Sequence, residues 1–249
     1  MRFTLYSDLH LEFAAWDPPS LDVDLVILAG DISSHSRGLA WASSVFDQPV
    51  VYIAGNHEYY DAHLGILAEL QKPQWEHADV HFLERRTFEL DGVRFLGCTL
   101  WSDFDLHGTD KADVYMSAAR NGINDYWMIR TKGGKRLEPR DTRKLHRSAV
   151  HWLDAELSKP FAGQTIVITH FAPHPRCVAP EHQGSDVSPY FVSDLSWLMK
   201  RHRIDVWCYG HTHTNISFAA ENGCRVISNQ RGYLGEPNPG FLPDLVIEV

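Results

Sequence analysis

Residues 51–61 read VYIAGNHEYYD, and the abrupt change of residue type within this stretch indicates the fold. The first four residues are apolar or aromatic, which is typical of a strand that is covered on both faces. Gly55 then ends the run, and Asn56, His57 and Glu58 follow at once. A turn uses glycine and tolerates asparagine, but it has no need of an imidazole. His57 is therefore either incidental or placed there for a chemical purpose.

Similar apolar runs recur along the whole chain and alternate with helical patterns. We predict strands at 2–7, 24–29, 50–54, 93–98, 165–169, 205–209, 224–228 and 244–249. We predict helices at 37–46, 63–72, 141–159 and 193–203. Several of these strands are apolar almost throughout, as in sheets that helices cover. The sequence therefore predicts an α/β protein.

The 249 residues carry no internal repeat and no low-complexity linker. We predict a single domain over 1–249, with an inserted lid or specificity region at about 101–147 where periodicity is weak. A dimer contact is the alternative role for that region. No run reaches the ~20 apolar residues of a membrane helix, and the first residues lack a signal-like apolar segment. We expect a cytoplasmic protein without membrane contact.

Cysteines and net charge restrict the function further. The four cysteines show no CxxC spacing, which predicts reduced core residues rather than disulfides or a thiolate zinc site. A net charge of −9 disfavours non-specific binding to nucleic acid. Residues 130–147, however, carry eight Lys or Arg and only two acids. This segment is either a solvated loop and helix start or a basic lip for an anionic substrate.

Five predicted strands end in residues that can bind a metal ion. In chain order these are Asp8 and His10, then Asp31, then Asn56 and His57, then His170, then His211 and His213. In open α/β sheets the ligand site lies outside the carboxyl ends of the strands, so residues far apart in sequence converge there. The other ten histidines are interpreted as ordinary core or surface residues.

The donor types indicate the metal chemistry. Without His57, the set offers two carboxylates, one amide oxygen, four imidazoles and no thiolate. Such a set suits Mn, Fe, Co, Ni or Zn. Seven protein ligands exceed what one catalytic ion usually takes from protein, whereas two ions that share a carboxylate explain the number.

The ordered motifs D-x-H, GD, GNHE, a histidine after an apolar strand, and GHTH resemble the calcineurin-like metallophosphoesterase family, in particular its small bacterial members. The resemblance covers residues 8–213 and implies a four-layer α/β/β/α sandwich of two mixed sheets with a dinuclear site at one edge. It implies a first ion held by Asp8, His10, Asp31 and His213, and a second held by Asp31, Asn56, His170 and His211. Asp31 would bridge the two ions. His57 would contact the phosphate and is a candidate proton donor to the leaving group.

We therefore predict metal-dependent hydrolysis of phosphate esters, in which a metal-bridged hydroxide attacks phosphorus. The two ions are expected to be divalent or trivalent, with Mn preferred and Fe, Zn, Co or Ni as alternatives. The expected substrate is a phosphorylated small molecule, either monoester or diester. A nuclease and a non-enzymatic metal-binding interaction module are the alternative functions, and a homodimer is left open.

Some residues have two interpretations at this point. Glu58 either orients a neighbouring group or is a plain surface carboxylate of a turn. Four further residues are candidates for contact with the substrate, although a surface or fold-stabilising role is favoured for each: Arg120, Asn124, Arg176 and Arg231.

Overall fold

The structure is a computed structural model that describes residues 1–236 and 240–249. The strands described are β1 (Arg2–Tyr6), β2 (Leu25–Ala29), β3 (Val50–Ile53), β4 (Val80–Phe82), β5 (Arg86–Leu90), β6 (Val93–Cys98), β7 (Gln164–Thr169), β8 (Val206–Tyr209), β9 (Phe218–Ala219), β10 (Arg225–Ser228) and β11 (Ile247–Glu248). The α-helices described are α1 (Arg37–Val45), α2 (Leu67–Leu70), α3 (Pro73–His77), α4 (Ala112–Gly122), α5 (Asp125–Met128), α6 (Pro139–Leu157), α7 (Ser188–Phe191) and α8 (Ser196–Arg201).

The strands form two mixed sheets. The first has the order β11-β1-β2-β3-β4, and only its edge strand β11 runs antiparallel to its neighbour. The second has the order β5-β6-β7-β8-β10-β9, with a parallel centre and antiparallel strands at both edges. The carboxyl ends of the parallel strands of each sheet therefore lie along one edge.

The two sheets pack face to face through the apolar side chains of alternate strand positions. Leu5, Ile27 and Val51 of the first sheet belong to one buried cluster with Phe95 and Ile166 of the second. The intervening strand residues point outward into a second cluster that includes residues of the helices. This arrangement confirms the predicted four-layer α/β/β/α sandwich, because each sheet is covered on both faces.

Helix α6 begins two residues before its predicted start. Its N-cap is Glu138, and Pro139 occupies the first turn. Asp141 completes a capping box, in which its carboxylate accepts a hydrogen bond from the backbone N–H of Glu138 at 3.2 Å. The helix ends at Leu157, close to the predicted position.

Other differences follow from local chemistry. The predicted helix 63–72 is a 3₁₀ turn followed by the short helix α2, and the predicted strand 244–249 pairs only over β11. Strand β5 escaped prediction because its side chains are largely exposed and carry little apolar pattern. The region 101–147 contains two helices and the start of α6 rather than irregular chain.

The remaining sequence expectations concern cysteines and membranes. All four cysteines are buried and free. Across 1–236 and 240–249, no helix is long and apolar enough to cross a membrane.

Candidate metal centre

The predicted ligands lie directly after the strands, at the carboxyl edge of both sheets, and the backbone there is unusual. The φ angles of five of these residues are positive, between 48° and 72°: Asp8, His10, Asp31, His211 and His213. Non-glycine residues adopt this region rarely and at a cost, and such residues cluster at functional sites. The chain thus holds these side chains in positions that a relaxed turn would not give them.

Asp8, His10 and His213 form the first group of side chains. The Nε2 atoms of His10 and His213 lie 3.1 Å apart, and His213 Nε2 lies 3.4 Å from Asp8 Oδ1. The Nδ1 atom of each ring faces a carboxylate, Glu12 at 3.3 Å for His10 and Glu236 at 2.7 Å for His213. A proton on Nδ1 of each ring satisfies the carboxylate that it faces, so each Nε2 keeps its lone pair. The two lone pairs point into the space between the rings and Asp8, where a cation would be stabilised.

Asp31, Asn56, His170 and His211 form the second group. His170 Nε2 lies 3.4 Å from Asp31 Oδ2 and 3.1 Å from Asn56 Oδ1. The other nitrogen of that ring, Nδ1, donates to the carbonyl oxygen of Ala29 at 2.9 Å, so Nε2 presents its lone pair to the site. His211 Nε2 is buried, and it has no hydrogen-bond partner among the described residues. A metal ion would satisfy this atom.

Asp31 lies between the two groups. Its Oδ1 accepts a hydrogen bond from the backbone N–H of His57 at 2.8 Å. Its Oδ2 is free of that bond and lies 3.4 Å from His170 Nε2 and 3.9 Å from His10 Nε2. Burial alone would raise the pKa of Asp31, but the adjacent His170 and His57 hold it well below its usual range. An ionised oxygen therefore adjoins both groups, and the residues present fit two cations.

His57 stands outside both groups and is held on either side of its ring. Nδ1 lies 2.8 Å from Glu12 Oε1, and Nε2 lies 3.0 Å from the hydroxyl of Tyr233 and 3.9 Å from Asp31 Oδ2. Burial opposes the charge on His57, yet Asp31 and Glu12 raise its pKa above the usual range. The protonated imidazole is favoured, as a proton donor requires.

Glu58 is fully buried, which excludes the surface-carboxylate interpretation. Its Oε1 accepts from Ile32 N at 3.0 Å and from the hydroxyl of Tyr52 at 2.7 Å. Its Oε2 accepts from Asp31 N at 3.0 Å and from Gly55 N at 2.7 Å. The carboxylate therefore ties the loop that carries Asp31 to the loop that carries Asn56. Burial and the nearby Asp31 raise the pKa of Glu58 to about 7.

Gly55 is required by the close approach of these two loops. A Cβ atom at Gly55 would lie 2.1 Å from Asp31 Oδ1 and 2.7 Å from His170 Nε2. Any side chain there would displace Asp31, so the glycine of the GNHE motif makes room for the central carboxylate.

Three residues that the sequence analysis missed support the site. Glu12 contacts both His10 and His57, and its position two residues after His10 was the one local signal for it. Asp125 accepts from Asn56 Nδ2 at 2.9 Å, which turns the amide oxygen of Asn56 toward His170. Asp125 and Tyr233 come from weakly patterned segments, so nothing in the sequence indicated them.

The three arginines considered for substrate contact have the surface or fold-stabilising roles that the sequence analysis favoured. Arg231 donates to the carbonyl oxygens of Leu9 and Ala14, both at 3.1 Å. Arg176 donates to the carbonyl of Ala219 and stacks on an aromatic ring. Arg120 pairs with an acid on the surface. Asn124 alone of the four suggested residues lines the cavity at the site.

His174 was left out of the predicted ligand set, and its contacts agree with that omission. Its Nδ1 accepts from Arg176 N at 3.1 Å, and its Nε2 lies 3.4 Å from Glu221.

Comparison with known proteins agrees with this geometry. A curated protein of Acanthamoeba polyphaga mimivirus, described as uncharacterized protein L509, is 28% identical over 100% of this chain and 97% of its own length. The crystal structure of phosphopantetheinyl hydrolase from Mycobacterium tuberculosis has a TM-score of 0.70 at 18% identity and covers 93% of this chain and 89% of that one. A dimetal phosphatase from Danio rerio has a TM-score of 0.53 at 15% identity and covers 91% and 86%.

These solved structures share the fold of this chain, and the family is assigned from the sequence. The sequence model of the calcineurin-like phosphoesterase family matches residues 1–215, a range that includes all seven predicted ligands and His57. With the fold, the motifs and the paired ligand groups in agreement, this chain belongs to the calcineurin-like phosphoesterase family.

Proposed function

We propose that this protein hydrolyses phosphate esters with two metal ions bound at the edge of its sheets. The observation that carries the proposal is the position of Asp31, whose Oδ2 adjoins ligand groups on both sides. The membership of the family supports metal-dependent phosphoester hydrolysis in general. The bridging role of Asp31 and the ligand sets below are our own assignments.

The first ion would be held by Asp8, His10, Asp31 and His213, and the second by Asp31, Asn56, His170 and His211. Both sets combine oxygen and nitrogen donors without sulfur, which favours Mn, with Fe, Zn, Co or Ni as alternatives. When bound, such a pair makes hydroxide available near neutral pH and neutralises the phosphoryl oxygens.

His57 supplies the proton in this proposal. Glu12 holds its Nδ1 side, so the proton to be transferred sits on Nε2, the atom that faces Tyr233 and the centre. From there it passes to the oxygen of the departing group, which leaves as an alcohol. A structural metal site would not need a charged, oriented imidazole beside its ligands, and this argues against a non-enzymatic binding module.

The test begins with metal-stripped protein and two chromogenic substrates, p-nitrophenyl phosphate and bis-p-nitrophenyl phosphate. Added Mn should restore turnover, and elemental analysis should find two ions per chain. Asp31→Asn should lower turnover about 10²- to 10³-fold, because loss of several kcal/mol of charge stabilisation at the centre is expected.

Asp91→Asn is the matched control. Asp91 is exposed and has a φ of 48°, close to the 53° of Asp31, so the same substitution meets the same backbone away from the site. Equal loss in both variants would show that the effect of Asp31→Asn is on folding. Binding of a single ion would contradict the dinuclear assignment, and absence of turnover with two bound ions would contradict the proposed activity.

A further inference from the structure

A cavity of about 430 Å³ opens from the metal centre, and Asp31, Asn56 and His211 line its inner end. This volume lies in the range of sites that enclose a small organic molecule. Residues 122–125, from the region predicted as a lid or specificity insert, form part of its wall.

The cavity wall is mainly apolar. Four half-buried apolar side chains lie on the wall: Ile123, Val178, Val187 and Phe191. The ionisable groups of the lining include the side chains at the metal centre, and Asn124, Ser188 and Thr212 add uncharged polar groups. An apolar group that enters such a cavity is stabilised because it leaves water. A charged group would lose its hydration there without gaining a partner from the apolar side chains.

Cations are scarce in the cavity, which restricts the charge of the ligand. No Lys or Arg lines it within the part of the chain that the structure describes. Its basic groups are His57 and His182, together with His211 and His213 of the candidate metal centre. Asp125 and Glu236 also line it, so apart from the centre itself the described wall offers a second phosphate charge no Lys or Arg partner. A phosphomonoester dianion is best met by extra cationic contacts, whereas a phosphodiester carries a single negative charge.

The basic segment 130–147 does not supply the missing charge. None of its Lys or Arg side chains lines the cavity, as far as the described residues extend. Arg143 pairs with Asp105 at 2.7 Å, and Arg136 stacks on Trp127 at 4.5 Å. The interpretation of this segment as a basic lip is therefore not favoured. The lack of Lys and Arg in the described cavity lining also argues against a nuclease.

A second apolar surface lies outside the cavity, beside the proton donor. Phe13 is 63% exposed, and its ring centroid lies 6.3 Å from that of His57 and 5.7 Å from that of Tyr233. Phe13 does not line the cavity, although His57 and Tyr233 do. The centre is thus flanked by two apolar surfaces, one for each ester substituent of a diester.

We propose that the substrate is a phosphodiester monoanion with an uncharged, largely apolar arm that occupies this cavity, an inference that rests on the proposed function. Water releases one proton to solvent and adds to phosphorus as hydroxide, and the P–O bond to the substituent beside His57 breaks. The proton from His57 converts the departing alkoxide into an alcohol, and His57 regains a proton from solvent. The products are that alcohol and a phosphomonoester that retains the arm in the cavity.

The test compares alkyl p-nitrophenyl phosphodiesters of increasing chain length, from methyl to octyl, with p-nitrophenyl phosphate, using protein loaded with Mn. All release the same leaving group, so only charge and the arm differ. The value of kcat/KM should rise by up to about fourfold per added methylene until the cavity is filled. The kcat/KM of the monoester should be at least about tenfold below that of the butyl diester, because one unpaired charge costs about as much as a weak ion pair.

Val187→Lys places a cation in the cavity at a half-buried position that can accept a longer side chain. It should lower kcat/KM for the octyl diester at least about tenfold and raise the relative use of the monoester. Val114→Lys is the matched control, because Val114 is 59% exposed on α4 and does not line the cavity. It should leave the chain-length series unchanged.

Calorimetric binding of methyl octyl phosphate and of octyl phosphate gives a second measure that does not depend on turnover. The diester should bind more tightly to the wild-type protein and lose that advantage in Val187→Lys. Metal-dependent turnover with a preference for the monoester, or with no dependence on chain length, would overturn the substrate class while leaving phosphoester hydrolysis intact. Absence of turnover with every ester would overturn the proposed function and this inference with it.

Discussion

Replacing Glu58 by glutamine should destabilise the fold and disturb the metal centre, although the two side chains have the same shape. Each carboxylate oxygen accepts two hydrogen bonds, from Ile32 N and Tyr52 at Oε1 and from Asp31 N and Gly55 N at Oε2. A glutamine must place its NH₂ group against one of these donor pairs. Only the hydroxyl of Tyr52 can turn to accept, so at least one buried N–H loses its acceptor.

The magnitude follows from that count. One unsatisfied buried donor costs about 1–3 kcal/mol, and the hydrogen bonds that remain lose the benefit of a charged acceptor. Since the raised pKa of Glu58, about 7, offsets part of that benefit near neutral pH, we expect Glu58→Gln to lower the free energy of unfolding by about 2–4 kcal/mol. A domain whose free energy of unfolding is about 5–15 kcal/mol remains folded after such a loss, so the stability of the variant can be measured.

The assay is urea unfolding of metal-stripped protein. A shift of the urea midpoint without a change in the slope m reports a change in the free energy of unfolding. Glu84→Gln is the matched control, because Glu84 Oε2 accepts both hydrogen bonds from Thr99, at 2.8 and 3.0 Å. The amide can turn its NH₂ to the other side, where it meets the exposed Arg85 at 3.6 Å rather than a buried N–H group. The substitution should cost less than about 1 kcal/mol. A Glu58→Gln midpoint equal to that of the wild type, or an equal loss in both variants, would refute the reasoning.

Two further substitutions test the support of the site and of the fold. Asp125→Asn weakens the hold on Asn56 and should lower metal affinity about 10- to 100-fold, measured as ions retained per chain after dialysis at limiting Mn, with full retention as the contrary result. Burial lowers the pKa of His146, so the unfolded chain takes up a proton below pH ~6.5 that the folded protein does not, and stability falls as the pH drops. His146→Gln should therefore flatten the change in the urea midpoint between about pH 7.5 and pH 5.5, and an unchanged slope would contradict this assignment.

The parts of the site that the sequence predicted are those that depend on local order along the chain. A buried strand followed by Gly and a donor residue places that donor at the sheet edge, whatever the rest of the fold does, and Asp31 and Asn56 were found in this way. Asp125 could not be found, since its contact with Asn56 joins residues 69 positions apart and arises from the packing of a segment without a clear period. The surface or fold-stabilising role favoured for each arginine is the one observed, but the sequence could not name the partners. Charge alone does not show that Arg231 is occupied by backbone carbonyls.

The presence or the bounds of these edge strands were not predicted, for a related reason. β5 is predominantly exposed, and β9 and β11 are two residues long, so their pairing partners rather than their own composition define them. The start of α6 was misplaced because proline and glutamate at positions 139 and 138 form a cap together, whereas each residue alone reads as loop.

The two candidate ligand groups each contain residues from both sheets. Asp8 and His10 follow β1 of the first sheet while His213 follows β8 of the second, and Asp31 follows β2 while His170 and His211 follow β7 and β8. Any sliding of one sheet over the other would therefore separate the members of each group. Each bound ion would oppose that movement, because its ligands come from both sheets. Metal concentration then enters the stability of the whole chain, by about 2.7 kcal/mol for an ion present at one hundred times its Kd. In such an architecture the candidate metal centre would also fix the alignment of the two sheets.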